Sequence, residues 1–362
     1  MRCGIVGLPN VGKSSLFNAI THSSVPSENY PFCTIDPNVG IVSVPDSRLQ
    51  PLSQLVGSET IIPATVEFVD IAGLVKGASQ GEGLGNAFLT HIREVDVLVQ
   101  VVRCFVKDTV IHVLDRVDPI GDIEIIETEL LLADLQTVQD AKERFAKKSK
   151  KEEDGIIHMD FFRELEVSLS KGFPARTFTF PHISAPHWMK SLSLLTAKKV
   201  LYVANVLDHE ISGNQYSTLL IEYAKKQNAD CVIISSVLEA ELSLLEKTDK
   251  IEFMKELGVV QSGLDTIIQH CYSLLGLQTY FTAGEKEVRA WTVRAGAKAP
   301  EAAGRIHTDF EKGFIRAEVI AYQDFISFGG EHGAKQAGVW RLEGKEYVVQ
   351  EGDIMHFRFA PA

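Results

Sequence analysis

Short apolar segments alternate with helical patterns over much of the chain. Five runs rich in Val and Ile are too short for helices, and they cover residues 3–6, 66–69, 95–102, 200–204 and 231–234. Such runs are typical of parallel strands that are buried on both faces of a sheet. Their alternation with helices predicts an α/β fold with a mostly parallel, doubly wound sheet. Residues 40–44 are a candidate extra strand.

Two other regions depart from this alternation. Between residues 121 and 196, apolar residues recur near helical spacing, a second helix is predicted over 159–169, and 150–154 is a charged turn. This pattern predicts a helical hairpin, residues 122–195, inserted into a domain that covers 1–277. Residues 278–362 are predicted to form a small α+β domain with a helix from Pro300 to about Phe314. The strands predicted in that domain are 288–293, 316–321, 347–350 and 354–359.

A phosphate-binding motif follows the first apolar run directly. Residues 7–14 fit G-x-x-x-x-G-K-[ST] between a predicted strand and a predicted helix, which is the context that the motif requires. Backbone N–H groups and the helix N-terminus favour phosphate oxygens there. Lys13 is expected to reach the β- and γ-phosphates, and the Ser14 hydroxyl to bind Mg²⁺. The residues assigned to nucleotide binding in this loop are Asn10, Val11, Gly12, Lys13, Ser14 and Ser15.

Two further segments complete the predicted phosphate and metal site. Asp70 ends the run 66–69 and begins the sequence Asp-Ile-Ala-Gly, in which Asp70 is expected to hold Mg²⁺ through water and the Gly73 N–H to contact the γ-phosphate. Thr34 lies in a stretch without a helix pattern and is the third candidate for Mg²⁺. The predicted metal site is therefore Ser14, Thr34 and Asp70.

Composition limits the kinds of partner. A net charge of −12 argues against coating nucleic acid by bulk electrostatics, and we expect no sequence-specific DNA binding. Residues 142–151 form a local basic surface, with a solvated helix face as the alternative interpretation. No stretch is apolar enough to span a membrane. Five widely spaced cysteines without a C-x-x-C pair predict reduced thiols in a cytoplasmic protein.

The motifs together resemble a known family. The segments GLPNVGKSS, YPFCTIDPN and DIAGLVKGASQGEGLGNAFL are similar to the YchF type of Obg-like ATPase, within the Obg branch of translation-factor GTPases. Residues 278–362 resemble a TGS domain, which is a small β-grasp module. The resemblance implies an Obg-type G domain with a coiled-coil-like insertion, a preference for ATP over GTP, and association with ribosomes.

The base-reading loop departs from both the GTPase and the family pattern. A GTPase has Asn-Lys-x-Asp after this strand, whereas the chain has Asn205, Val206 in place of Lys, and Asp208 where the family usually has Glu. Ser235 lies where the last base-contacting loop is expected. ATP is the predicted nucleotide, and a GTP-preferring, ribosome-associated GTPase is the alternative because Asp208 suits guanine.

The residue that assists hydrolysis is the hardest to assign. Leu74 follows Gly73, where Ras-like GTPases carry the Gln that orients water, so we expect slow intrinsic hydrolysis. Resemblance to the family makes His112 the catalytic candidate, and Asn10 matches the asparagine of relatives that use K⁺. Arg93 and Arg103 are alternatives. A nucleotide-binding module with little hydrolysis stays open, whereas a P-loop kinase would need an acceptor pocket and an Arg-rich lid, and neither is evident.

Overall fold

The structure is a computed structural model that describes residues 1–22, 38–71, 84–107, 116–148 and 153–360. The chain forms two compact units. One comprises Met1–Gly40 with Glu67–Ile267, and the other comprises Ile41–Val66 with Ile268–Ala362. The later segment of the second unit therefore begins ten residues before the predicted position 278. The unit also includes the earlier segment Ile41–Val66.

Twelve strands and fourteen α-helices lie within the described ranges, and both are numbered in chain order. The strands are β1 (Arg2–Val6), β2 (Val39–Ser43), β3 (Thr60–Ile62), β4 (Thr65–Asp70), β5 (Val97–Arg103), β6 (Lys199–Asn205), β7 (Asp230–Ile234), β8 (Leu277–Ala283), β9 (Glu287–Arg294), β10 (Phe314–Ala321), β11 (Arg341–Glu343) and β12 (Asp353–Phe359). The helices are α1 (Lys13–His22), α2 (Leu49–Val56), α3 (Leu84–Glu94), α4 (Pro119–Lys148), α5 (Glu153–Ser170), α6 (Ala185–Leu192), α7 (Gln215–Lys226), α8 (Ser236–Ser243), α9 (Lys247–Glu256), α10 (Gly263–Leu274), α11 (Ala299–Ile306), α12 (Thr308–Lys312), α13 (Tyr322–Ser327) and α14 (Glu331–Gln336).

The first six-stranded sheet has the order β2-β4-β1-β5-β6-β7. The pairs β1–β4, β1–β5, β5–β6 and β6–β7 are all parallel. Every residue of β5 is buried, as expected for a central strand that is covered on both faces. These strands are the apolar runs of the sequence, so the α/β prediction is confirmed. The sheet also brings the carboxyl ends of β1, β4, β5, β6 and β7 to one edge.

Helices α4, α5 and α6 form what we call the helical arm. Gln139 and Lys142 of α4 both bond to Glu166, while Phe145 contacts Phe162, so α4 and α5 run antiparallel. A separate apolar core between the arm helices includes Val138, Phe161 and Leu165. Helix α5 is longer than predicted, since it begins at Glu153 and ends at Ser170.

The second sheet has the order β11-β10-β12-β8-β9-β3 and mixed directions. Neighbours β10–β12 and β8–β9 are antiparallel, whereas β12–β8 and β3–β9 are parallel. Helices α11 and α12 contribute Ala302, Ala303 and Phe310 to the core against this sheet. This architecture agrees with the predicted α+β domain, although β3, β8 and β11 were not predicted.

Two predictions in this part of the chain were wrong. The helix predicted from Pro300 to about Phe314 is broken at His307, whose backbone is extended (φ −160°, ψ 146°) and whose Nδ1 accepts from the Asp309 N–H at 3.2 Å. The strand predicted over 347–350 is only an isolated bridge between Lys298 and Val348. It ends there because the Gln350 N–H donates to the Asp353 carboxylate at 2.9 Å and has no strand neighbour.

Candidate nucleotide-binding site

The loop between β1 and α1 has the backbone of a phosphate-binding loop. Asn10 (φ 63°) and Gly12 (φ 95°) both lie in the left-handed region, which turns the chain sharply before Lys13 begins α1. The first helical bond runs from the Leu16 N–H to the Gly12 carbonyl at 3.0 Å. The N–H groups of the first turn have no partner inside a helix, so they are available to an anion.

Lys13 and Asp70 form an ion pair across this loop. Lys13 Nζ contacts Asp70 Oδ1, and the two side chains are 11% and 19% exposed. Asp70 reaches the loop because β4 lies parallel to β1, with Asp70 opposite Ile5. The contact puts the Asp70 carboxylate beside the phosphate-binding loop, and the predicted role of Asp70 in holding Mg²⁺ through water stays a prediction.

The residues near Lys13 suit a magnesium ion. Ser14 follows Lys13 and is exposed, and Asp70 supplies a carboxylate beside the same loop. Hydroxyl and carboxylate oxygens are hard ligands of the kind that Mg²⁺ prefers, and substrate phosphates and water usually complete its shell. Ser14 and Asp70 therefore fit the group that the fold implies, which would neutralise phosphate charge when bound. Thr34, the third predicted ligand, lies outside the described residues.

Asn205 joins the base-reading loop to the phosphate-binding loop. Its side-chain Nδ2 donates to the Val11 carbonyl at 2.8 Å, and its Oδ1 accepts from the Ser236 N–H at 2.9 Å. The side chain is 2% exposed, so both bonds are made in a buried setting. Helix α8, which starts at Ser236, also packs against α1. Asn205 thus ties together three segments that the sequence placed in one site.

Asp208 and Ser235 form a second connection within the predicted base-reading region. The Ser235 hydroxyl donates to Asp208 Oδ1 and also accepts from the Leu238 N–H at 3.3 Å, which caps α8. Ser235 is buried, whereas Asp208 is exposed. The hydroxyl therefore fixes the orientation of a carboxylate that faces solvent. Val206, two positions before Asp208, is 3% exposed and has an alkyl side chain where a GTPase has Lys.

Arg103, one of the two alternative arginines, is committed to its own loop. Its Nε donates to the Phe105 carbonyl at 3.1 Å, and its guanidinium lies 4.7 Å from the centre of the Phe105 ring. Burial lowers the pKa of Arg103. Arg93 lies in the last turn of α3, far along the helix from its start. His112, Gly73 and Leu74 lie outside the described residues, so their predicted roles stay predictions.

The sequence reasoning missed two residues, Phe105 beside the base-reading strand and Lys198 at the opposite, amino-terminal end of β6. Phe105 follows β5, where the Cys104 N–H bonds to the Asn205 carbonyl at 2.8 Å, so an aromatic ring lies next to the base-reading strand. Lys198 precedes β6 and bonds to carbonyls at the end of α3. No motif marks Lys198, but an aromatic residue directly after a central strand was a usable signal for Phe105.

The thiols and the helices add two observations. Among the described residues, Cys3, Cys104, Cys231 and Cys271 form no disulfide. Burial raises the pKa of Cys104 and raises that of Cys231 to about 12, so neither thiol ionises readily near neutral pH. No helix in the described ranges has both the length and the apolar character needed to cross a bilayer.

Known proteins resemble this chain over nearly its full length. Residues 2–132 match the family described as 50S ribosome-binding GTPase, and residues 277–360 match the YchF-GTPase_C family, described as a protein of unknown function. Proteins named ribosome-binding ATPase YchF from Bacillus subtilis and Escherichia coli O157:H7 are 54% and 50% identical, and each alignment covers 99% of both chains. The solved structure of the Schizosaccharomyces pombe YchF GTPase matches with a TM-score of 0.90 at 39% identity, covering 99% of this chain and 97% of that one.

The parallel sheet, the loop before Lys13, and the Asn205 connection define a P-loop nucleoside triphosphatase. The 54% sequence identity to the Bacillus subtilis protein, over 99% of both chains, identifies the family within this class. The chain belongs to the YchF family, as its motifs predicted.

Proposed function

We propose that this protein hydrolyses ATP at the P-loop site and acts as a nucleotide-dependent switch on the ribosome. The observation that carries the choice of ATP is Val206. A guanine-reading loop places a lysine stem along the base beside an Asp that accepts the guanine N–H groups, and Val206 removes half of that reader while Asn205 is retained. The names of the bacterial relatives, which are ribosome-binding ATPases, support the same nucleotide and partner.

GTP stays the competing substrate because of Asp208. Its carboxylate is exposed and is oriented by Ser235, so it has the chemistry to accept the N1–H and N2–H groups of guanine. A carboxylate can also accept from the exocyclic amino group of adenine, and this second pairing is the one that we propose. Val206 therefore argues for ATP and Asp208 for GTP. A comparison of the Kd values for the two nucleotides measures which effect is larger.

The proposed chemistry is attack of water on the γ-phosphate. Lys13 and Mg²⁺, held by Ser14, Thr34 and Asp70, would stabilise charge on the phosphate oxygens. Gly73 is proposed to contact the γ-phosphate and His112 to position the water, since Leu74 has no polar atom for that task. Asn10, which adopts the left-handed conformation in the loop, is the proposed ligand of a K⁺ ion.

The proposed partner contacts involve segments of the chain other than the phosphate loop. We assign them to the arm, predicted as 122–195, and to the TGS-like domain, predicted as 278–362, in a cytoplasmic protein. The basic residues of α4 support an RNA-facing surface in part only, because Lys142 already bonds to Glu166. A shaped ribosomal site therefore fits better than free RNA.

Side-by-side kinetics test the proposal. Single-turnover hydrolysis of ATP and GTP is measured with and without 50S and 70S ribosomes, in K⁺ and in Na⁺. We expect slow ATP hydrolysis alone and faster hydrolysis with ribosomes in K⁺. Tight binding without hydrolysis under every condition would favour a nucleotide-binding module. A Lys13→Ala protein, which lacks the phosphate-binding ammonium, controls for contaminating phosphatases.

A further inference from the structure

Lys198 connects the segment after the arm to the end of α3. Its Nζ donates to the carbonyl of Arg93 at 3.2 Å and also to the carbonyl of Val95. Arg93 is in the last turn of α3, where carbonyl groups lack partners within the helix. A cation at this position also interacts favourably with the helix dipole. Lys198 thus caps α3 from a different part of the chain.

The groups around the Lys198 ammonium shift its pKa in both directions. Burial lowers the pKa of Lys198, Arg93 acts in the same direction, and Asp96 and Asp134 oppose them. The net effect is a lowered pKa of Lys198, which the two carboxylates limit. The protonated ammonium donates charge-assisted bonds to the Arg93 carbonyl in α3 and to the Val95 carbonyl just after it, and such bonds are stronger than neutral ones.

Asp134 of α4 fixes the segment that carries Lys198. Its carboxylate accepts from the Leu195 N–H at 2.7 Å, from the Thr196 N–H at 2.8 Å and from the Thr196 hydroxyl at 2.6 Å. Asp134 is fully buried, so a shift of α4 must carry this segment with it or leave a carboxylate without partners. The Thr196 hydroxyl also accepts from the Ala175 N–H at 2.9 Å, which adds the end of the hairpin to the same junction.

These bonds make one continuous path from the arm to α3. It runs from α4 through Asp134, along residues 195–198 and through Lys198 to the last turn of α3. The start of α3 at Leu84 follows the Asp-Ile-Ala-Gly segment of the phosphate site by eleven residues. We propose that Lys198 is a positioning residue through which the helical arm sets the placement of α3, and thereby changes the rate of hydrolysis rather than the affinity for nucleotide.

Hydrogen exchange tests the structural half of this proposal without nucleotide or ribosome. Exchange is followed by mass spectrometry on peptides covering residues 88–96 in the full chain. Lys198→Met removes the ammonium and keeps most of the stem, and we expect exchange about tenfold faster there, in line with the loss of charge-assisted bonds. Lys198→Arg keeps donors and charge and should restore protection. Lys199→Met is the matched control, because Lys199 is adjacent and exposed.

The arm is then perturbed from the other end. Asp134→Asn should speed exchange over residues 88–96 in the parent background but add nothing in the Lys198→Met background. Thr196→Val, a milder change at the same junction, serves if Asp134→Asn fails to fold. Asp140→Asn is the control, because it makes the same substitution on α4 at an exposed site. Equal exchange in Lys198→Met and Lys199→Met, or additive effects in the double variant, would overturn the proposal.

Kinetics test the second half, which rests on the proposed hydrolysis. In Lys198→Met we expect kcat to change about threefold or more while the Kd for ATP stays within about twofold, with recovery in Lys198→Arg. Equal kcat values in Lys198→Met and the parent would overturn this half. A parent protein that hydrolyses no nucleotide would refute the proposed function instead, and the exchange measurements would still decide whether Lys198 couples the arm to α3.

Discussion

The side-chain amide of Asn205 lies 2.8 Å from the carbonyl oxygen of Val11 and donates a hydrogen bond to it. The two residues are separated by 194 positions: Val11 lies in the phosphate loop and Asn205 is the last residue of β6. The contact explains why the residue next to Val11 must be glycine. A Cβ on Gly12 would lie 2.2 Å from Asn205 Nδ2 and 2.9 Å from Ser236 Oγ. The base-reading loop thus closes against the phosphate loop with no room for a side chain.

Gly12→Ala is expected to abolish tight binding of both ATP and GTP. The change imposes left-handed strain of about 1–2 kcal/mol, and overpacking against Asn205 adds about 1–3 kcal/mol. Gly172→Ala is the matched control, because Gly172 also has positive φ (+84°) but a Cβ added there would meet no atom within 4 Å. Calorimetric titration and urea unfolding of both variants separate strain from clash. Equal losses of stability in the two variants would mean that the Asn205 contact is not responsible.

Asp70→Asn is expected to separate metal-dependent binding from phosphate binding. The neutral amide is a weaker magnesium ligand and no longer forms an ion pair with Lys13. Affinity for Mg·ATP should therefore fall about tenfold or more, while affinity for metal-free ATP should hold or rise because Lys13 is released. Titrations are run in Mg²⁺ and in EDTA. Glu67→Gln is the control on the same strand as Asp70, because it breaks only the exposed ion pair between Glu67 and Arg2. It should change neither of the two ATP affinities.

Local pattern was enough to predict the first sheet but not the second. The strands β1 and β5 are dominated by apolar residues and are buried along almost their whole length, so burial on both faces is visible in the sequence itself. Strand β8 mixes polar and apolar residues, and its parallel neighbour β12 is joined through Phe281 and Ile354, which are 73 positions apart. No short window contains that pairing.

The candidate site was also only partly predictable from the sequence. Residues 7–14 and Asp70 are predictable because phosphate chemistry demands fixed residue types at fixed spacing. The Lys198 cap could not be predicted, since any residue with a long cationic side chain can reach carbonyl groups about 100 positions away. The break at His307 was hidden as well, because one extended residue between two helices leaves the apolar spacing almost unchanged.

Acid is expected to loosen the arm through His158. The ring stacks on Phe162 at 4.9 Å and on Trp188 at 4.1 Å, and burial lowers its pKa below the ordinary value of about 6.5. The folded arm therefore favours neutral imidazole. Its contribution to stability is present above about pH 6.5 and is lost as the pH falls through the lowered pKa.

Urea unfolding at pH 7.5 and pH 5, followed by circular dichroism, measures this effect. His158→Phe keeps an aromatic ring and cannot titrate, so its stability should fall less between the two pH values than that of the parent. His187→Phe removes an exposed histidine of the same arm and should behave like the parent. If His158→Phe loses as much stability as the parent, another group is responsible for the acid sensitivity.

The choice of base is expected to shift when Val206 is replaced. Val206→Lys supplies a stem that can pack along guanine, next to the Asp208 carboxylate that Ser235 orients. We expect the parent to bind Mg·ATP more tightly than Mg·GTP, and the variant to move the ratio of the two Kd values towards GTP by about five- to tenfold.

Val206→Met is the control, because it adds apolar length without the charge. In a Val206→Lys, Asp208→Ala double variant the shift should disappear, since the carboxylate that accepts the guanine N–H groups is gone. Thermal unfolding of each protein checks whether the fold tolerates the substitution at the buried position 206. A parent protein that prefers GTP tenfold, which is about 1.4 kcal/mol, would instead make Asp208 the dominant residue and identify this family member as a GTPase.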